Sequence, residues 1–493
     1  MIRKALLFVL VLTLTTVAFG DWETVEDHWY GLTIAGAKSG WMHSTIEQDG
    51  SLIRTTSKQQ LEISRGGTVI EIAVSTEFVE TTDGKPISVH TFSEAMGQVS
   101  ESTWKFIGSE IEITSVAGGV PVTKKVSAPK EKWLTPRAVD RYFKEQLKKG
   151  AAAITYQSMS PELGIKIFTV IMTKLGEEVR KVIDGERKVT SWKRENDAMP
   201  ISGVDSYDES GTRVESVMNA GFGEMINTLM SKQAARSTGG PVPELMVSQF
   251  IEPNKEIPND PSIGKIKMIA RSKDNTLVSL PSCGFQSAKA NPDGSCTIVV
   301  NLTNPTRASS SEKKDPKFLA QTSLCDGTDI AVIALAKKAV KDLPANATDR
   351  QKAEAMREFV NKFITSKEFG KAFASASQVA RDPAGDCSEH GVLLCGLLRA
   401  SGIPSRGVMG IVYVSPERMD VGKPNGVFGW HFWSQALVDG TWIDLDATMD
   451  GKYSVGHITS ATSALETESM NADMVDILAL IGNMEIEIVE IGK

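Results

Sequence analysis

Three residues, far apart in a chain of 493, are of the types that together perform acyl chemistry: Cys387, His431 and Asp446. Cys387 lies in "GDCSEHGVLLCGLLRASGIPSRGV", residues 385–408. Asp386, followed three residues later by Glu389, fits a capping box with Asp386 as the N-cap. Cys387 then takes the first helical position. There, unpaired backbone N–H groups and the positive end of the helix dipole favour thiolate, the nucleophilic form. Asp386 and Glu389 are negative and oppose that ionisation, so the sulfur needs a base. The "VLLCGLL" run has almost no polar face, which predicts a central helix, and Gly402 and Pro404 end it in the usual order.

A base is supplied by "GWHFWSQALVDGTWIDLDAT", residues 429–448. This stretch alternates on both sides of Asp439-Gly440, a strong two-residue hairpin turn. With those two residues as the loop, Val438 opposes Thr441, Gln435 opposes Asp444, Trp433 opposes Asp446 and His431 opposes Thr448. The period of two puts His431, Trp433, Trp442, Asp444 and Asp446 on one face. Asp446 is then the diagonal neighbour of His431, and Asp444 lies two steps further off. The register selects Asp446 as the partner of the imidazole, and a one-residue slip would separate the pair.

A thiol, an imidazole and a carboxylate form the nucleophile, base and orienting group of acyl transfer. Cys387 would attack a carbonyl, His431 would take and return the proton, and Asp446 would fix the tautomer. The backbone N–H of Cys387 would be one oxyanion donor. Each residue also has a plain structural reading, as a small apolar residue, a packed ring and a turn cap, but the combination is far less expected by chance. A zinc site at His390 and Cys395 is disfavoured, because five helical residues turn about 140° and separate the two. His457, in "SVGHITSA", is expected at the surface or packed against the hairpin.

The elements that must position these residues come late in the chain. From residue 326, "TDIAVIALAKKAVKDL" and "NATDRQKAEAMREFVNKFI" carry apolar residues at helical spacing, the second with Asn346 or Thr348 as cap. Then follow the Cys387 helix, two strands and a closing "MEIEIVEI". Helices first and sheet after indicate an α+β domain over 326–493. Residues 21–225 read as one antiparallel β-rich domain, with short strands punctuated by Asp-Gly and Gly-Gly and interrupted by a helix around 137–149. Its histidines, His28, His43 and His90, are scattered and structural. Residues 226–325 read as a linker and a small strand-rich region in which "TRASSSEKKDPK", residues 306–317, is a flexible polar loop.

The segments "GDCSEHGVLLCGLLRASGIPSRGVMGIVY" and "WHFWSQALVDGTWIDLDAT" resemble the transglutaminase-like core family of bacterial exported proteins. The resemblance covers roughly 326–460. It implies a papain-like α+β fold, Cys387 as nucleophile, His431 as base and Asp446 as its partner, with no cofactor and no metal. It also implies amide hydrolysis, or transfer of a glutamine or peptide acyl group to an amine. The chain has "LDAT" where the family commonly has Asp-Pro-Thr, which affects the turn and not the carboxylate.

The first twenty residues differ from the rest. Arg3 and Lys4 precede an apolar run, and Ala18 and Gly20 occupy the −3 and −1 positions before Asp21, so residues 1–20 read as a secretory signal peptide cleaved after Gly20. The run is too short and Thr-rich for a comfortable membrane span, and no other stretch is long enough for one. With 41% hydrophobic and 23% charged residues the chain is ordinary for a globular protein. Its net charge of −7 becomes −9 without Arg3 and Lys4, a poor match to nucleic acid or an anionic membrane. Export to a secreted or periplasmic location permits disulfides, and of the five cysteines Cys283 and Cys296, flanking "NPDG", are the best candidate bridge. The leading expectation is an exported cysteine-dependent enzyme acting on a peptide or protein amide. The alternative, motivated by the large β region, is an envelope binding or assembly module with a vestigial core.

Overall fold

The computed structural model describes residues 22–492, apart from residues 66, 96–97, 118–119, 183–184, 199–201, 220–222, 238, 245–248, 274–276, 367–373, 420, 452 and 467–482. The expected signal peptide lies outside the described residues. The chain is α+β, with a large antiparallel sheet first and an α+β core after it.

Period-two burial builds the first part. In Glu110–Ala117, "EIEITSVA", every second side chain is buried. Among the described residues, fourteen strands between Glu23 and Met230 form one sheet made of two meanders, eight strands and then six. The meanders join where the first strand, Glu23–Ile34, pairs with the last, Glu224–Met230. The sheet curls, because Met159 from the edge strand of the second meander packs with Phe78, Val89, Trp104 and Ile113 of the first. The helix Pro136–Lys148 connects the two meanders and buries Phe143 against Trp192 and Tyr207.

In the second part, four strands form a sheet in the order Thr441–Leu445, Val427–Val438, Ser405–Val414, His457–Ser463. Four helices, Ile330–Ala339, Asp349–Phe363, Ala376–Arg381 and Cys387–Ala400, lie with it. The last of these is buried on every side from Ser388 to Arg399, as its missing polar face demands. Its one buried cation, Arg399, is satisfied by the carbonyls of Ala320, Ser405 and Ala464. A second four-stranded sheet contains Lys265–Ser272, Gln286–Ala290, Cys296–Asn301 and the closing strand Met484–Gly492. One apolar core runs through both sheets and the helices, including Ile266, Ile298, Val332, Leu394, Ile411 and Ile486.

Two expectations are corrected. Cys283 and Cys296 are both free. The hairpin register explains why: Gln286 pairs with Val300 and Ala290 with Cys296, so Cys283 lies beyond the far end of the ladder from Cys296. The Cys283 sulfur instead accepts from Gln435 Nε2 at 3.8 Å. The 306–317 segment is not a free loop either. Arg307 bridges to Thr441, and Glu312 accepts from Arg406 at 2.9 Å and from Trp442 Nε1 at 3.2 Å. Arg406 and Trp442 are both buried, and their polar groups need a partner that this polar run supplies.

The Cys387 helix is pressed onto the His431 strand at Gly391, where an added Cβ would come within 2.5 Å of the Phe432 ring. Ser434 Oγ donates to the Gly391 carbonyl at 2.9 Å across the same contact. Gly391→Val is therefore expected to destabilise the fold by about 1–3 kcal/mol through overpacking, read as a lower thermal midpoint.

Candidate active site

The Cys387 helix starts as its sequence dictates. The Asp386 side chain accepts from the Ser388 N–H at 2.9 Å, and Glu389 reaches back to the Asp386 N–H at 3.0 Å, closing the capping box. Cys387 is the first residue of the helix, and of the five cysteines it alone is not buried. Glu389 is fully buried. Burial and the neighbouring Asp386 charge push its carboxyl up despite the N–H of Ala374 and Asp386, which weakens the objection that it opposes a thiolate.

The hairpin has the expected turn, with φ of 51° at Asp439 and 74° at Gly440. Val438 pairs with Thr441 and Gln435 with Asp444, and the ladder ends at Ser434 opposite Leu445. Asp446 follows the last strand residue. His431 Nε2 lies 2.8 Å from Asp446 Oδ2, with both groups buried. Asp446 Oδ1 accepts the backbone N–H groups of Thr448 at 2.8 Å and Met449 at 3.3 Å. Asp444 is occupied elsewhere: it accepts from Trp433 Nε1, Gln435 Nε2 and the Phe285 N–H at 2.7–2.8 Å. Burial raises its carboxyl pKa.

Electrostatics follow from this geometry. Burial works against a charge on His431, but the Asp446 charge and hydrogen bond outweigh it. A hydrogen bond to the Cys387 sulfur adds to them, and the imidazole is pushed up to about 10. Asp446 resists burial in the same way: the charge and hydrogen bond of His431, with a bond from His457, hold it well below the usual carboxylate range. Since Nε2 of His431 is committed to Asp446, Nδ1 is the nitrogen left for the sulfur. The structure sets Asp446 against the His431 ring, and Cys387 is near enough to hydrogen-bond with that ring and raise its pKa.

Of the two readings of His457, packing against the hairpin holds, since the ring is buried and stands edge-on to Trp433 at 5.2 Å. Sequence reasoning missed its bond to the site: Nε2 lies 3.0 Å from the same Asp446 oxygen. The reason is topological. Its strand joins the sheet on the far side of Ser405–Val414, a pairing with no local signature. Among the described residues, His431, Asp446 and His457 are the one group of ligand-type atoms close enough for a metal ion. The 2.8 and 3.0 Å spacings to Asp446 are hydrogen-bond lengths, whereas tetrahedral zinc at about 2.0–2.1 Å from each ligand would spread its ligands to about 3.4 Å. At these spacings the two rings are hydrogen-bonded to the carboxylate. His390 and Cys395 do not form a site: His390 Nδ1 is engaged with the Asp386 carbonyl at 2.6 Å, and Cys395 is buried in the core.

Comparison with known proteins adds the following. The family model for the transglutaminase-like superfamily matches residues 334–447. No curated protein matches the chain. Solved structures that align with it include a β-barrel-like protein of a domain of unknown function from Brucella abortus, at 11% identity over 42% of this chain and 95% of that one, with a TM-score of 0.33. A second is a putative cysteine protease from Cytophaga hutchinsonii, at 16% identity over 47% and 84%, with a TM-score of 0.26. A third is the periplasmic domain of TgpA from Pseudomonas aeruginosa, solved with ethylmercury, at 14% identity over 41% and 82%, with a TM-score of 0.25. No helix among the described residues is long and apolar enough to cross a membrane. Residues 334–447, which hold the Cys387 helix, the His431 strand and Asp446, are a transglutaminase-like superfamily domain.

Proposed function

We propose that the protein is an exported cysteine-dependent acyl-transfer enzyme that acts on amide bonds of peptides or of glutamine side chains. The observation that carries this reading is the placement of the only unburied cysteine, at a helix N-terminus, beside an imidazole whose other nitrogen is bonded to a buried carboxylate.

The reaction runs as a balanced exchange of bonds. The thiol proton of Cys387 already resides on His431 as an ion pair, and the sulfur adds to the carbonyl carbon. The oxygen becomes an oxyanion beside the N–H of Cys387, a group with no intrahelical acceptor at this position. The carbonyl re-forms, the C–N bond breaks, and His431 gives its proton to the departing amine. The thioester then passes its acyl group to water or to a second amine, and the thiol is restored. Asp446 keeps the imidazolium oriented throughout and stays ionised. Export rests on the basic start, apolar run and small residues before Asp21.

A peptide-like electrophile labels Cys387 and no other cysteine, and His431→Ala slows the labelling about 10²–10⁴-fold, measured by intact mass against time. Equal rates for folded and denatured protein contradict the reading, and a Cys387→Ala variant with unchanged biological effect and partner binding favours a vestigial core. Turnover of a glutaminyl peptide needs the imidazolium as acid, so its rate falls on the alkaline side as pH passes about 10. The raised pKa also links to folding. The stabilisation from protonated His431 is complete below its ordinary 6.5 and lost as pH rises through about 10, and His431→Gln flattens that part of the denaturation midpoint profile. Incorporation of a labelled amine separates transferase from hydrolase, and the mature protein recovered from its host begins at Asp21.

A further inference from the structure

His457 lies on the strand His457–Ser463, separated from the His431 strand by Ser405–Val414. The register places both histidines on one face, since Gly410 pairs with His431 and Val412 pairs with His457. Two rings on next-but-one strands meet only if the strand between them leaves room. At Gly410 that room is taken by the Trp433 ring, since an added Cβ would come within 2.7 Å of Trp433 Cη2 and 2.1 Å of the Ile458 carbonyl. The two imidazole centroids lie 5.9 Å apart, and both Nε2 atoms converge on Asp446 Oδ2.

The hydrogen-bond pattern fixes what His457 does there. Its Nδ1 lies 3.0 Å from the Ser454 carbonyl and 3.3 Å from Ser454 Oγ, and its ring stacks on Tyr453 at 4.2 Å. An ionised carboxylate only accepts, so the proton between His457 and Asp446 resides on His457 Nε2. Asp446 then receives four N–H groups: His431 and His457 on Oδ2, Thr448 and Met449 on Oδ1. A buried carboxylate has about four lone-pair sites, and His457 fills the one that the hairpin itself leaves open.

We propose that His457 is a positioning residue: its Nε2–H holds the same Asp446 oxygen that His431 engages, and so fixes the ring that serves Cys387. The proposal deepens the acyl-transfer reading and rests on it for its functional meaning, but the bonding itself can be tested without any substrate.

The test compares His457→Gln and His457→Phe in the full chain, each checked for native near-ultraviolet circular dichroism. Gln keeps an N–H donor at the reach of Nε2 and loses the ring. Phe keeps the ring on Tyr453 and loses the donor. The first readout is the imidazole Nε2–H proton of His431 in proton–nitrogen correlation spectra. It is expected to persist in wild type and His457→Gln and to broaden away by exchange in His457→Phe. The second is alkylation of Cys387 by iodoacetamide at neutral pH, expected within about twofold of wild type for Gln and slowed about tenfold for Phe. A His431 signal that survives in His457→Phe, or is lost in both variants, overturns the proposal, because a packing role would spare Phe and damage Gln. If His457→Phe does not fold, loss of the signal in His457→Gln overturns the proposal and its retention supports it. Failure of the acyl-transfer reading has a different signature: wild-type Cys387 then alkylates no faster than in denatured protein, whatever the His431 signal does.

Discussion

The hydrogen bond between His431 Nε2 and Asp446 Oδ2, 2.8 Å long and buried, is the interaction on which the rest of the site depends. A carboxylate removed from water is stable as an ion only when its oxygens are fully engaged, and an unpaired one would take up a proton. Here every N–H around Asp446 points at it, and the ion persists. Its charge then holds the imidazole in the protonated form against the burial that opposes it. Without that ion, the ring beside the sulfur would be an ordinary buried histidine.

The scaffold converts this local chemistry into a fixed geometry. The Cys387 helix is buried all round from Ser388 to Arg399, so the surrounding helices and the sheet set its axis and leave Cys387 at its start partly exposed. The close approach at Gly391 sets the spacing of that turn from the His431 strand. The tight turn at Asp439-Gly440 sets the register that delivers Asp446 at the end of its strand. The carboxylate of Asp444, two residues earlier, is spent on joining the hairpin to the Phe285 backbone of the second sheet. Two acidic residues on one strand face thus have different tasks, one structural and one at the site, assigned by which N–H groups surround each.

Local signals made most of this legible in the sequence. The capping box at Asp386 and Glu389, the absence of a polar face in "VLLCGLL", and the Asp-Gly turn are each written within a few residues, and they mark Cys387, His431 and Asp446 as candidates. What was not legible depends on non-local pairing. His457 reaches Asp446 across an intervening strand, and no spacing in the chain announces that. The separation of Cys283 from Cys296 depends on the register of one short hairpin, which "NPDG" suggests but does not determine. The polar run at 306–317 looked solvated because its partners, Arg406 and Trp442, lie about a hundred residues away and are themselves buried. The curling of the first sheet, with Met159 against Phe78, is of the same kind.

The most direct measurement of the central claim is a nuclear magnetic resonance titration of the His431 imidazole in the wild-type chain and in Asp446→Asn. The account predicts a midpoint near 10 in wild type, falling toward 6.5 when the carboxylate is replaced by an amide of the same shape. A wild-type midpoint already near 6.5, unmoved by the substitution, would contradict it.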